Sequence, residues 1–318
     1  MTKSFILPET AAVLEFINTQ EGPHLAELPP SQAREIYHQL GSMFDESAEC
    51  SVRAVDIGGT IVPLRAYFPS SATSGPVILY MHGGGWVIGD LETHHALCTL
   101  IARLSGLRVV AVDYRLAPET PYPGAHEDCL AAAHFVSGNP AELEAPVTGI
   151  AVAGDSAGGN LAFHISANLG SKGVLAQLLI YPWVNCASPD EGSYNEFGEG
   201  YLLDRRMLNR FVDDYLPGGQ HVDASEVALL RHPLPSDLPP TITLAAGLDP
   251  LRDQSRALAG RIAEQGIESH YLEAAGLIHG LATMRKSLPS SNHFIERATA
   301  IFVEAIHASI ARRGEVKA

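Results

Sequence analysis

The stretch that most constrains the fold is "GIAVAGDSAGGNLAFHISANLG", residues 149–170. An apolar run enters a cluster of small residues and leaves as a helix-periodic segment, which reads as strand, sharp turn, helix. The same alternation recurs along the chain. "PVILYM", "LRVVAVDY", "LAQLLIYPW", "TITLAAGLDPL" and "SHYLEAAG" read as strands. "HHALCTLIARLSG", "AHEDCLAAAHFVSGN", "DQSRALAGRIAEQG" and a C-terminal segment from about Ser291 to Arg312 read as helices. Strands alternating with helices imply parallel pairing through right-handed crossovers, hence a doubly wound α/β sheet with helices on both faces. The pattern breaks twice. Residues 1–49 mix helical spacing with Pro8, Pro23, Pro29 and Pro30, and residues 186–238 carry polar turns and helical pieces between two strands. Together they suggest a helical cap over a core made of residues 50–185 and 239–318.

Composition narrows the function classes. The chain has 318 residues, is 46% apolar and carries a net charge of −15. It can bury a large core, and it repels nucleic acid and anionic membranes. No run of about 18 apolar residues appears, and "MTKSFILPETAAV" is a poor signal peptide. Four scattered cysteines form no CxxC pair, as expected of free thiols in a reducing, cytoplasmic compartment. His94 and His95, placed in a helix, diverge and make a poor metal pair. No metal or cofactor is expected.

Within the opening stretch, Gly154-Asp155-Ser156-Ala157-Gly158 has the Gly-x-Ser-x-Gly pattern. Small neighbours let a strained turn lift a serine hydroxyl above the strand ends, with the Ala157 amide at the next helix N-terminus. A phosphate loop is the competing reading, but Asn160 and Leu161 stand where a lysine and a Ser/Thr are needed. Upstream, "MHGGGW" (residues 81–86) follows a strand, and Gly83 and Gly84 are the expected partners of Ala157 in an oxyanion hole. A serine nucleophile needs a base and an orienting carboxylate, in the order Ser, Asp/Glu, His for this kind of fold. Asp249 follows a strand and His279 sits in a loop before a helix; Asp253, four residues on and inside a helix, is the competing acid. Trp86, Tyr181, Phe197, Tyr201 and Leu202 are candidates for lining an acyl pocket.

Six blocks in order, "HGGGW", "DYRLAPETPYPGAHED", "GDSAGGNLA", "YPW", "DPLRD" and "HG", resemble the bacterial branch of the hormone-sensitive-lipase-like esterases. The resemblance runs from about Pro76 to the C-terminus. It implies an α/β-hydrolase fold with a cap, and Ser156, Asp249 and His279 as nucleophile, acid and base. Gly83, Gly84 and Ala157 would form the oxyanion hole. Short- or medium-chain carboxylesters are the implied substrates. Amide or arylformamide hydrolysis is the alternative, and a non-catalytic small-molecule receptor on the same fold a more distant one. The resemblance also suggests a homodimer through the last strand, near "SHYLEA". The chain departs from the family pattern at Leu281, where phenylalanine is common after His-Gly, and at Gly124-Ala125-His126, where alanine and apolar residues are usual.

Overall fold

The computed structural model describes residues 5–58, 62–69, 73–187 and 192–315. Residues 1–4 of the expected N-terminal cap segment, 59–61 and 70–72 of the first core part, 188–191 of the expected insertion and 316–318 of the second core part lie outside these. Among the described residues one sheet of eight strands runs in the order β1-β2-β4-β3-β5-β6-β7-β8. The strands are β1 (Val52–Ile57), β2 (Leu64–Pro69), β3 (Gly75–Met81), β4 (Arg108–Val112), β5 (Val147–Asp155), β6 (Val174–Ile180), β7 (Thr241–Leu248) and β8 (Ser269–Ile278). From β4 to β8 every neighbouring pair is parallel, whereas β1–β2 and β2–β4 are antiparallel. The two antiparallel strands are absent from the sequence reading. β1 is buried only at its two ends and exposed between them. It therefore lacks the period-2 signal of a half-buried strand.

The central strands are apolar on both faces because helices cover both. Val77, Leu79, Met81, Val110, Val112 and Val152 pack on one side, against α4 (Gly124–Ser137), α5 (Ala157–Gly173) and α8 (Arg252–Glu264). Ile78, Tyr80, Val109, Ala111, Ala151 and Ala153 face the other, against α3 (His95–Ser105) and α9 (Ser291–Glu315). α3 stops at Gly106, whose φ of 67° is the left-handed cap that glycine supplies without steric cost.

The proline-rich start folds into α1 (Pro8–Asn18) and α2 (Pro30–Phe44), each opened by a proline that needs no amide partner there. The insertion contributes α6 (Ser193–Glu196) and α7 (Arg205–Tyr215). The two pieces are clasped together. His24 Nε2 lies 2.9 Å from Asp204 Oδ2, Arg206 pairs with Glu27, and Arg210 donates to the carbonyls of Ala26 and Leu28. α2 is tied to the core by a buried ion pair, Asp45 with Arg285 at 2.9 Å. Removing one member strands the other charge away from water. Asp45→Ala is expected to cost about 3–5 kcal/mol, read as a lowered urea midpoint.

Candidate active site

The parallel strands end on one edge of the sheet, the edge where open α/β folds bind ligands. Ser156 follows β5, Asp249 follows β7, His279 follows β8, and Gly84 and Gly85 follow β3. Ser156 has φ 55° and ψ −120°, a conformation that costs a non-glycine residue about 1–3 kcal/mol. Three bonds hold it there: its amide donates to Ile180 O (2.9 Å), and its carbonyl accepts from Trp183 N (3.0 Å) and Asn160 N (3.3 Å). The turn admits no side chain at Gly158, where a Cβ would meet the Met81 carbonyl oxygen at 2.0 Å.

Ser156 Oγ lies 3.0 Å from His279 Nε2, and His279 Nδ1 lies 2.8 Å from Asp249 Oδ2. Asp249 is fully buried, and its other oxygen accepts the Leu251 amide at 2.8 Å. An ionised Asp249 only accepts, so the imidazole proton belongs on Nδ1 and Nε2 is left to accept from the serine hydroxyl. Asp253 lies elsewhere. It accepts from Ser193 N (2.9 Å) and pairs with Arg252 and Arg256.

The expected glycine pair is displaced by one residue. The Gly83 amide donates to Asp155 Oδ1 at 2.9 Å and is spent there. Gly84 and Gly85 border the cavity beside Ser156, and their amides have no acceptor among the described residues. The Ala157 amide opens α5 and has no acceptor within the helix. Gly84 and Gly85, with Ala157, are therefore the donors free to meet an oxyanion, and Gly83 is not. Both glycines are required by space. A Cβ would lie 2.0 Å from Ile88 O at Gly84 and 2.2 Å from the Phe211 ring at Gly85.

Asp155 organises this loop from below. It accepts from Tyr80 Oη (2.7 Å) and from Gly83 N, and it pairs with His94 Nε2 at 3.2 Å. His94 is thus not inside a helix, as its sequence suggests, but at the N-cap of α3. Its Nδ1 meets Thr93 Oγ1 at 3.0 Å, a hydroxyl that already donates to Asp90 O. Nε2 also lies 3.3 Å from the Gly83 amide, and its approach to Asp155 favours the protonated imidazole. Burial opposes charge on both partners. The facing Asp155 charge outweighs it and raises His94, while His94 and the hydrogen bonds hold Asp155 below its ordinary value. Neighbouring His82, fully buried beside His94, is lowered to about 4, chiefly by burial. A raised imidazole stabilises the fold below its unfolded value and loses that effect as pH rises through its folded value. A lowered carboxyl does the reverse. The stability lost in His94→Ala should therefore be greatest between the ordinary values of 3.8 and 6.5. It should shrink above and below that window in melts across pH.

A cavity of about 580 Å³ opens over Ser156 and His279. Of the expected pocket residues, Tyr181, Tyr201 and Leu202 line it; Trp86 and Phe197 do not. Trp86 has φ 62°, and its buried ring packs between Trp183 and Tyr215 behind the loop. Phe197 is buried under the Arg252 guanidinium with Tyr201 at its edge. The sequence reading missed most of the walls. Tyr37, Leu40 and Phe44 come from α2, and Met207 and Phe211 from α7. Nothing local marks these as cavity residues, because they reach it only where α2 and α7 converge over the sheet edge. Gly85 was legible as the third glycine of its run.

Comparison with known proteins agrees with this architecture. The family model for the α/β hydrolase fold matches residues 78–283. The chain is 35% identical over 261 residues to the carboxylesterase NlhH of Mycobacterium tuberculosis, covering 79% of this chain and 81% of that one. It is 35% identical over 234 residues to an ethyl acetate hydrolase of Pseudomonas putida, covering 71% and 73%. A solved ester hydrolase from the metagenome of Lake Arreo, bound to a derivative of bipyridine phosphonate, superposes with a TM-score of 0.88 at 31% identity, covering 94% and 99%. The chain belongs to the α/β-hydrolase fold family, in its hormone-sensitive-lipase-like branch.

Proposed function

We propose that the protein is a serine carboxylesterase acting on short- to medium-chain acyl esters. The observation that carries this is the unbroken hydrogen-bonded chain from Ser156 Oγ through His279 to Asp249, beside unused amides at the floor of a cavity. In this reading His279 Nε2 takes the Ser156 proton as Oγ attacks the ester carbonyl. Asp249 holds the tautomer and stabilises the cation that forms. The amides of Gly84, Gly85 and Ala157 receive the oxyanion, each donor contributing about 10²–10³ in rate. His279 then returns the proton to the leaving alcohol and activates the water that hydrolyses the acyl-enzyme.

Ester specificity is supported by the names of the relatives, carboxylesterase and ethyl acetate hydrolase. The acyl range is supported by the bounded cavity, whose walls include Leu25, Leu28, Leu40, Phe44, Met207 and Phe211. No described helix is long and apolar enough to cross a membrane. The free cysteines, one of them exposed, support a reducing, cytoplasmic setting. β8 is an edge strand with Tyr271 exposed, which supports pairing of two copies there. p-Nitrophenyl esters from acetyl to palmitoyl, with matching amides, test the reading. Turnover is expected to fall steeply beyond medium chains and to exceed that of the amides. Faster cleavage of the amides would replace the esterase assignment.

A further inference from the structure

The only two tryptophans of the chain stand together at the site, Trp183 bordering the cavity and Trp86 behind it. Trp183 holds the Ser156 carbonyl through its amide, and its ring lies 5.0 Å from that of Trp86, the residue after Gly85. The Trp86 ring is also stacked on Tyr215, at 4.6 Å and 8°. Tyr215 ends α7, in the insertion, and is fully buried without bordering the cavity. Its hydroxyl meets His126 Nδ1 of α4 at 2.7 Å, and His126 Nε2 meets Asn160 Oδ1 of α5 at 3.0 Å. The Asn160 amide reaches the Ser156 carbonyl. The circuit thus leaves the nucleophile turn through Trp183 and returns to it through Asn160.

The proton positions follow from the partners. Asn160 Nδ2 donates to Glu226 O at 2.8 Å, so its Oδ1 must be the atom that faces His126. His126 Nε2 therefore carries the proton, and Nδ1 accepts from the Tyr215 hydroxyl. Burial, aided by nearby His164, lowers His126 to about 3 and keeps it in this neutral form. Each of these hydrogen bonds has one direction, and the Tyr215 ring cannot turn without leaving His126 Nδ1 buried and unpaired.

We propose that Tyr215 is a positioning residue for the oxyanion donors: its ring, held by His126, presses Trp86 from behind and fixes where the Gly84 and Gly85 amides point. Neither Tyr215 nor Trp86 borders the cavity, so loosening this stack disturbs the transition state more than ground-state binding. The proposal rests on the ester-hydrolase reading, because its readout is turnover.

The test uses the full-length protein as wild type, Tyr215→Leu and Tyr215→Phe, with p-nitrophenyl butyrate as substrate and a trifluoromethyl ketone as transition-state analogue. A misplacement of about 1 Å costs about 10²-fold. In folded Tyr215→Leu, kcat is therefore expected to fall about 10- to 100-fold with KM nearly unchanged. Ketone affinity should weaken by the same factor as kcat/KM. Tryptophan emission, which arises only from Trp86 and Trp183, should shift. Tyr215→Phe keeps the ring and loses only the hydroxyl, so a smaller loss is expected, again parallel in kcat/KM and ketone affinity. It decides the matter if the leucine variant does not fold. Unchanged kcat and ketone affinity in either folded variant, or a rise in KM alone, overturns the proposal. Wild type without ester turnover defeats the hydrolase reading and the proposal together, whereas an active wild type with unaltered Tyr215 variants defeats the proposal alone.

Discussion

Ser156→Ala is expected to lower kcat on p-nitrophenyl butyrate by about 10⁶ while the protein stays folded. The hydroxyl removed is the one 3.0 Å from His279 Nε2, the atom that forms the acyl-enzyme in the proposed mechanism. The backbone that strains this position is held by Ile180, Trp183 and Asn160 through main-chain bonds, and alanine keeps all three. Circular dichroism and the thermal midpoint should match wild type. A residual rate is expected from the proposed oxyanion donors acting on water-mediated hydrolysis. Covalent labelling by a fluorophosphonate should disappear in parallel. Turnover retained by a clean preparation of the variant would remove Ser156 as nucleophile.

Asp249→Asn is expected to lower kcat by about 10⁴ with little change in the fold. The direction of the new amide is forced. Leu251 N donates to Oδ1 at 2.8 Å, so the asparagine must keep an oxygen there and turn its NH₂ toward His279 Nδ1. The imidazole then shifts its proton to Nε2, the atom that should accept from Ser156. The geometry survives and the base is lost. Asp253→Asn is the comparison, since Asp253 binds Ser193, Arg252 and Arg256 instead. Near wild-type turnover there, beside the loss at position 249, separates the two acids. Equal losses in the two variants would remove Asp249 as the distinct orienting carboxylate.

Local signals carried the parts of this protein that neighbours along the chain decide. "GIAVAGDSAGG" can be read as strand, turn and helix because sterics at Gly154 and Gly158 admit little else; a Cβ on Gly154 would lie 2.3 Å from the Gly158 carbonyl oxygen. The buried parallel strands are legible because helices cover both faces, which makes each a short apolar run. Ser156, Asp249 and His279 could be singled out by their order at element ends, and the fold brings their side chains into contact.

Other features depend on partners far away in sequence, and these only the tertiary structure decided. β1 is a strand because β2 pairs with it; its own side chains lack the alternation. Gly83 was read as an oxyanion donor, but Asp155, 72 residues on, takes its amide. That shifts the free donors to Gly84 and Gly85. Trp86 was read as pocket wall, but a left-handed backbone turns its ring into a stack with Tyr215 and Trp183. His94 was read as one more helix residue, and it caps α3 and pairs with Asp155. The division has one physical cause. Backbone sterics and burial act through adjacent residues and leave a periodic trace in the sequence. Competition for a single amide proton, or for one face of an indole ring, is settled only when distant segments meet.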